Sequence, residues 1–297
     1  MTQLRKMMLE ELQRRNYSQN TVRGYLHSVQ AFAEHFHTPP DRLGLEHIRT
    51  WQAHLFHEKK LSASSVARET AALRFFFVRT LRRPYPVDAV PYPKKPRRLP
   101  TILTQDEAAR LINSASNLFH RAILMTLYAT GMRRAEVCNL KVSDIDGAQM
   151  IVHVRNGKGG RDRDIPLDPK LRETLQEYWR WVRPNTYLFP GTVKGWRADK
   201  PIDAKMVWLA CRQAAQRAGI TKPVGPHTFR HAFATHRLES GCDLITLQTL
   251  LGHTNVRHTT VYLHLSQRHL RSAGNPLDHI DVSSPDQFRR SRKLIKK

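Results

Sequence analysis

Six of the chain's 17 prolines fall between Pro84 and Pro100, interleaved with Lys94, Lys95, Arg97 and Arg98. Proline removes a backbone donor and denies the helical region to the residue before it, so neither helix nor sheet can run through such a stretch. The chain must therefore fold on either side of it, as two units joined by an extended basic linker over 84–100. At 297 residues in all, both sides can bury a core of their own.

Residues 1–83 carry helical periodicity. Val22, Tyr25, Leu26, Val29, Phe32 and Phe36 recur at helical spacing behind Ser18, a residue suited to an N-cap. Leu45, Ile48, Trp51 and Leu55 make a second stripe, and Val66, Thr70, Leu73, Phe76 and Phe77 a third, after Ser62. With Met1–Arg15 this predicts a four-helix unit.

Beyond the linker the pattern is α+β. Thr104-Gln-Asp-Glu107 is a capping box. An apolar helix is expected from about Phe119 to Thr130, stopped by Gly131. Met150–Val154 and Arg163–Ile165 alternate like strands, and Asn156-Gly-Lys-Gly-Gly160 supplies the turn residues of a hairpin between them. Asp168-Pro169 opens one helix, and Asp203 to Ala218, closed by Gly219, forms another. From Pro226 onward the chain reads as helical with breaks at Gly241 and Gly252. The fold class is thus mostly α with a small antiparallel sheet, without internal repeats. Six Lys and Arg among the last twelve residues mark 276–297 as a mobile basic tail.

Charge then limits the partners. Lys and Arg number 49 against 25 Asp and Glu, a formal net charge of +24. Such a surplus repels itself in a compact fold and calls for a polyanion, nucleic acid before all others. A membrane surface fits poorly, since the mean hydropathy is −0.54 and the most apolar stretch, Ala122 to Ala129, is far too short to span a bilayer. The N-terminus lacks the apolar core of a signal peptide. Cys138, Cys211 and Cys242 are scattered without a C-x-x-C pair, which fits a soluble cytoplasmic protein with reduced thiols.

Breaking a phosphodiester requires cations on its non-bridging oxygens, a proton for the leaving oxygen and an aimed nucleophile. Arg133 follows Gly131-Met132 at the start of a helix, where backbone N–H groups also favour an anion. His227 and Arg230 share a helical face at i, i+3. Lys158 lies at the tip of the glycine-rich hairpin, His253 just past a helix end at Gly252, and Tyr262 nine residues further on. Taken singly, each has a plainer reading: Arg133 as surface charge, Lys158 as a turn lysine, His253 as a residue past a C-cap, Tyr262 as a half-buried aromatic. His227 and His231 have a zinc-compatible i, i+4 spacing, but Thr228 stands where the H-E-x-x-H signature needs glutamate.

Taken together and in order, four segments resemble the tyrosine recombinase (phage integrase) family. ATGMRRAEVCNLKVSDID resembles the segment of its first catalytic arginine, NGKGGRDRDIPL its lysine hairpin, GPHTFRHAFATH its H-x-x-R box and LQTLLGHTNVRHTTVYLHL its closing segment. The spacing from His253 to Tyr262 resembles Xer-type members. The resemblance implies a helical, SAM-like core-binding domain over 1–83 and a catalytic domain over 101–275. It also implies roles: Arg133 and Arg230 clamp the scissile phosphate, Lys158 protonates the departing 5′ oxygen, His227 assists proton transfer, His253 hydrogen-bonds the phosphate and Tyr262 attacks. Glu136 is implied as a supporting, orienting acid, and His231 as structural. No cofactor, metal or ATP is implied, and nearby cations are expected to lower the Tyr262 pKa. The implied partner is double-stranded DNA, bound by a homotetramer on two sites or by a heteromeric pair of related recombinases. The pattern fits integration, excision, transposition and dimer resolution equally. A catalytically silent DNA-binding relative, a type IB topoisomerase and a DNA-coating protein remain as alternatives.

Overall fold

The computed structural model describes residues 2–83, 90–94, 100–155, 162–193 and 196–263, with no side-chain detail at 196 and 197. Lys158 and the whole basic tail lie outside them. The chain divides into two compact units, Met1–Arg98 and Leu99–Lys297.

The first unit holds α1 (Gln3–Arg14), α2 (Gln19–His35), α3 (Leu45–His57) and α4 (Ala63–Arg74). Short polar side chains set the starts of α1, α2 and α4: Thr2, Ser18 and Ser62 each accept the backbone N–H three residues on, satisfying a donor that the helix leaves open. The expected stripes meet in one core around Leu12, Phe32, Ile48, Trp51, Val66 and Leu73. Phe32 is its aromatic hub, edge-on to both Trp51 and Phe77. Helical spacing alone does not foresee the end of α4, which widens into a π-helical segment over Phe75–Thr80. That wider turn lets three consecutive phenylalanines, 75 to 77, all point into the core. The described part of the expected linker, 90–94, packs on this unit. Val90 is buried in its core, and Arg74 and Gln52 donate to the carbonyls of Val90 and Pro91.

In the second unit α5 (Gln105–Asn113) starts at the Thr104–Glu107 capping box, whose two reciprocal bonds are both made. Next, α6 (Leu118–Thr130) is the central helix, in contact with α5 and with α7 (Arg134–Asn139), α8 (Pro169–Val182), α9 (Ala204–Arg217) and α10 (Pro226–Glu239). Asp168 and Asp203 cap α8 and α9 as their positions predict. The last helices among the described residues are α11 (Leu244–Leu251) and the single turn α12 (Arg257–Thr260).

A three-stranded antiparallel sheet flanks the helices, built from β1 (Ile145–Asp146), β2 (Ile151–Val154) and β3 (Arg163–Pro166) in that order. Its register places Val152 opposite Ile165 and Val154 opposite Arg163. A second antiparallel pair, β4 (Pro190–Val193) and β5 (Trp196–Pro201), has no counterpart in the sequence reading. Trp196-Arg197-Ala198-Asp199 does alternate in polarity, but the run is short, prolines sit at the outer ends of the pair and β4 has no alternation to match it, so the strand signal is weak. Among the described residues no helix is long and apolar enough to cross a membrane.

Candidate active site

Two helix ends make the frame. α6 stops at Gly131, whose φ of +59° suits glycine, and a Cβ there would lie 2.3 Å from the Phe233 ring. The turn that follows delivers Arg133 as the N-cap of α7. α11 stops at Gly252, with φ +61°, and turns the chain toward His253 and Tyr262.

Arg133 is fixed through Glu136. Its backbone N–H reaches Oε2 at 2.7 Å and its Nη1 reaches Oε1 at 2.8 Å. The N–H of Arg133 itself is therefore engaged by a carboxylate, one donor fewer for an external anion at this helix start. Arg163 of β3 holds the other side of the same carboxylate, with Nη1 and Nη2 at 3.1 and 2.7 Å. Burial alone would raise the Glu136 carboxyl, but the hydrogen bond and charge of Arg163, then the bonds from Arg133, outweigh it and hold the pKa at about 2.

Arg230 comes from the second turn of α10 and is only 4% exposed. Its guanidinium donates to the carbonyls of Gly131 at 2.7 Å and Leu251 at 2.6 Å, and among the described residues no carboxylate pairs with it directly. Burial, then the charge of Arg133, pull its pKa down to about 10, which still leaves it a cation at neutral pH.

The end of α11 binds this cluster together. Carbonyls at a helix C-terminus have no N–H of their own helix to accept from. Here four in a row are taken by side chains: Leu250 by Arg163 Nε at 2.7 Å, Leu251 by Arg230, Gly252 by Arg133 Nη2 at 2.9 Å and His253 by Gln248 Nε2 at 3.0 Å. The three arginines come from three different elements, and two of them, Arg133 and Arg230, position the turn carrying His253 while standing where they could also grip an anion.

Tyr262 is 3% exposed and its hydroxyl lies 3.0 Å from Nδ1 of His231. The partner of the phenol is thus His231, which sequence reading left as structural, and not His227. The His253 ring stacks parallel to that of Tyr262, with centroids 6.5 Å apart, and its Nδ1 meets the Thr259 hydroxyl at 2.9 Å. Burial raises the Tyr262 pKa above its ordinary value, more than Arg230 and Arg133 lower it, which reverses the expected direction. Burial likewise depresses His231, aided by His227 and Arg230, and His253, aided by Arg230 and Arg133, both to about 4. His227 is lowered too, by burial and then by Arg230, Arg134 and Arg133. At neutral pH the site therefore pairs a protonated phenol with a neutral imidazole able to accept its proton.

Arg133, Glu136, His227, Arg230, His253 and Tyr262 are brought together, while Lys158 lies outside the described residues, between β2 and β3. Arg163 was missed, although a signal existed: it shares a strand face with the buried Ile165. A cation on the inward register of a strand is rare enough to question. Burial pushes the thiols of Cys138 and Cys211 up to about 11 and about 12 and raises that of Cys242, so none of the three is activated as a thiolate. Among the described residues no three His, Cys, Asp or Glu side chains group as metal ligands.

Comparison with known proteins agrees on one family. Residues 101–269 match the phage integrase family, and residues 4–87 match the phage integrase N-terminal SAM-like domain. An integrase/recombinase of Sinorhizobium fredii, y4qK, is 45% identical over 286 residues, covering 96% of this chain and 92% of the relative. The tyrosine recombinase XerA of Pyrococcus horikoshii is 34% identical, covering 86% of this chain and 87% of its own. Among solved structures, a XerA recombinase is 31% identical with a TM-score of 0.53, covering 94% of this chain and 99% of that one. A lambda integrase tetramer bound to a Holliday junction, 20% identical with a TM-score of 0.70 over 93% of this chain and 78% of that one, shares the fold.

Proposed function

The chain belongs to the phage integrase family of tyrosine recombinases, site-specific DNA recombinases, and from that premise we propose that it cuts and rejoins duplex DNA through a 3′-phosphotyrosyl link to Tyr262. The observation that carries this reading is a surplus of charge: Arg133, Arg163 and Arg230 are set against one carboxylate, Glu136, beside a buried tyrosine hydroxyl. Arg230 in particular is a buried cation held by neutral carbonyls, an arrangement that an incoming phosphate would complete.

In this reading Arg133 and Arg230 grip the non-bridging oxygens of the scissile phosphate. The Tyr262 oxygen bonds phosphorus as its proton passes to Nδ1 of His231, and the bond to the 5′ oxygen breaks. Lys158 supplies the leaving oxygen with its proton. His253, its Nδ1 facing Thr259, turns Nε2 toward the phosphate, and His227 assists from the start of α10. A proton acceptor is needed because a tyrosine of ordinary pKa is only about 0.1% phenolate at pH 7, and burial lowers that fraction further. One ester replaces another, so rejoining draws on the phosphotyrosyl bond and needs neither ATP, cofactor nor metal. The SAM-like unit and the catalytic unit both bind duplex DNA, four protomers act on two sites as a homotetramer or a heteromeric pair, and the protein works in the cytoplasm. Of the solved relatives, lambda integrase is seen as a tetramer on a Holliday junction, which supports that assembly.

The test is covalent trapping on nicked duplexes drawn from the DNA around the protein's own gene. The wild type should yield a denaturation-resistant protein–DNA adduct and Tyr262→Phe none, with equal DNA binding by both. Tight binding without any adduct would make the protein a silent DNA-binding relative instead.

A further inference from the structure

We propose that Arg163 is a positioning residue of the strand-transfer site, one that keeps Arg133 available to the phosphate by saturating Glu136. The inference rests on the recombinase reading above. Glu136 offers about four lone-pair directions, and the four bonds from the Arg133 backbone, Arg133 Nη1 and both Nη atoms of Arg163 use them. Each of the three guanidinium nitrogens of Arg163 makes a bond in return, since its Nε donates to Leu250, and its side chain is only 5% exposed. Arg133 differs. It gives one N–H to Glu136 and one to Gly252, and with its side chain 21% exposed it retains donors for a ligand.

The division of labour depends on geometry that only arginine provides. A guanidinium can donate two parallel bonds to a carboxylate while its Nε donates elsewhere, whereas an ammonium is a point charge. The chain makes room for this side chain: a Cβ at Gly252 would come within 3.1 Å of both Cδ and Nη1 of Arg163. Without Arg163, a buried carboxylate is left with one guanidinium as its partner. The favourable outcome is a two-pronged Glu136–Arg133 pair, which withdraws Arg133 from the phosphate. The Leu250 carbonyl also loses its donor, loosening the turn that carries His253.

This account makes a prediction that a merely structural role does not. Arg163→Met should bind DNA as the wild type does but cleave nicked duplex on the order of 100-fold more slowly, the scale of losing a preorganised charge contact. Adding Glu136→Gln to it removes the competing charge while leaving an acceptor for Arg133, and should restore about tenfold of the lost rate. Arg163→Lys, which retains charge and strains the fold less, should also be slow and should gain likewise from Glu136→Gln; it serves where the methionine variant melts early. Single-turnover rates and binding affinities measured on the same trapped duplex decide the matter. Wild-type rates in both Arg163 variants, or a double variant slower than its parent, would overturn the proposal. A wild type that forms no adduct would take it down together with the recombinase reading, whereas a normal wild-type adduct with unaffected Arg163 variants would remove this inference alone.

Discussion

Two sets of arginines, one in each unit, do different things. In the first, Arg14 and Arg15 reach Glu11, and Arg49 reaches Glu46, from one helical turn away, with the arginine side chains 70%, 44% and 54% exposed. Water already solvates such charges, so these pairs hold little of the fold together. In the second, Arg163 and Arg230 are buried, and with Arg133 they meet at one helix end, where Arg133 and Arg163 share one carboxylate. Burying a cation is costly unless its donors are met. The contrast teaches that most of the net charge of +24 is a general field for a polyanion, while the few arginines taken out of water are those that the proposed function places around the phosphate.

The largest effect should follow from breaking the buried set. Arg230→Ala is expected to lower single-turnover cleavage on the order of 1,000-fold, since it removes a preorganised charge where the phosphate is to sit. Near-normal cleavage would place the clamp elsewhere. Chelation of divalent ions should leave the wild-type rate unchanged, and strong inhibition by EDTA would bring the His227–His231 metal reading back.

Next in size is the frame. Gly131→Ala forces a non-glycine into the left-handed region and against Phe233, and should cost about 1–3 kcal/mol in unfolding free energy. A melt unchanged by that variant would mean the turn adapts.

A third effect separates the units by pH. His231 and His253 titrate near 4 in the fold against 6.5 ordinarily. Between those values the unfolded chain binds more protons than the native one, so stability is full above pH 6.5 and declines as the pH falls toward 4. The melting temperature should drop over that window, and less so in the double variant His231→Gln, His253→Gln. Equal slopes would show that the histidines are not buried as described. The smallest effect belongs to the surface pairs: Glu46→Ala should change stability by less than about 1 kcal/mol.

Much of this was legible in the sequence because it follows from local rules. Ser18, Ser62, Thr104, Asp168 and Asp203 cap where short polar side chains should, and Gly131 and Gly252 close helices where glycine tolerates positive φ. What escaped depends on tertiary neighbours. The inward register of Arg163 hints at burial, but its partners emerge only when β3 is laid against the end of α11, and His231 gains its meaning only when Tyr262 returns to α10. The Tyr262 shift took the opposite sign to expectation because counting nearby cations ignores burial, which here is the larger influence. The β4–β5 pair is masked by the prolines at its outer ends, Pro190 and Pro201, and the π-helical end of α4 follows no pattern in the residues that compose it.

The central claim is that Tyr262 is the atom donor of the covalent link, and peptide mapping of the trapped adduct tests it most directly. Wild-type protein would be incubated with nicked duplex in the presence of EDTA, digested with nuclease and protease, and the nucleotide-bearing peptide sequenced by mass spectrometry. The account predicts a 3′-phosphonucleotide on Tyr262, in the segment that follows His253. A nucleotide mapped to any other residue, or a link through the 5′ phosphate, would contradict it.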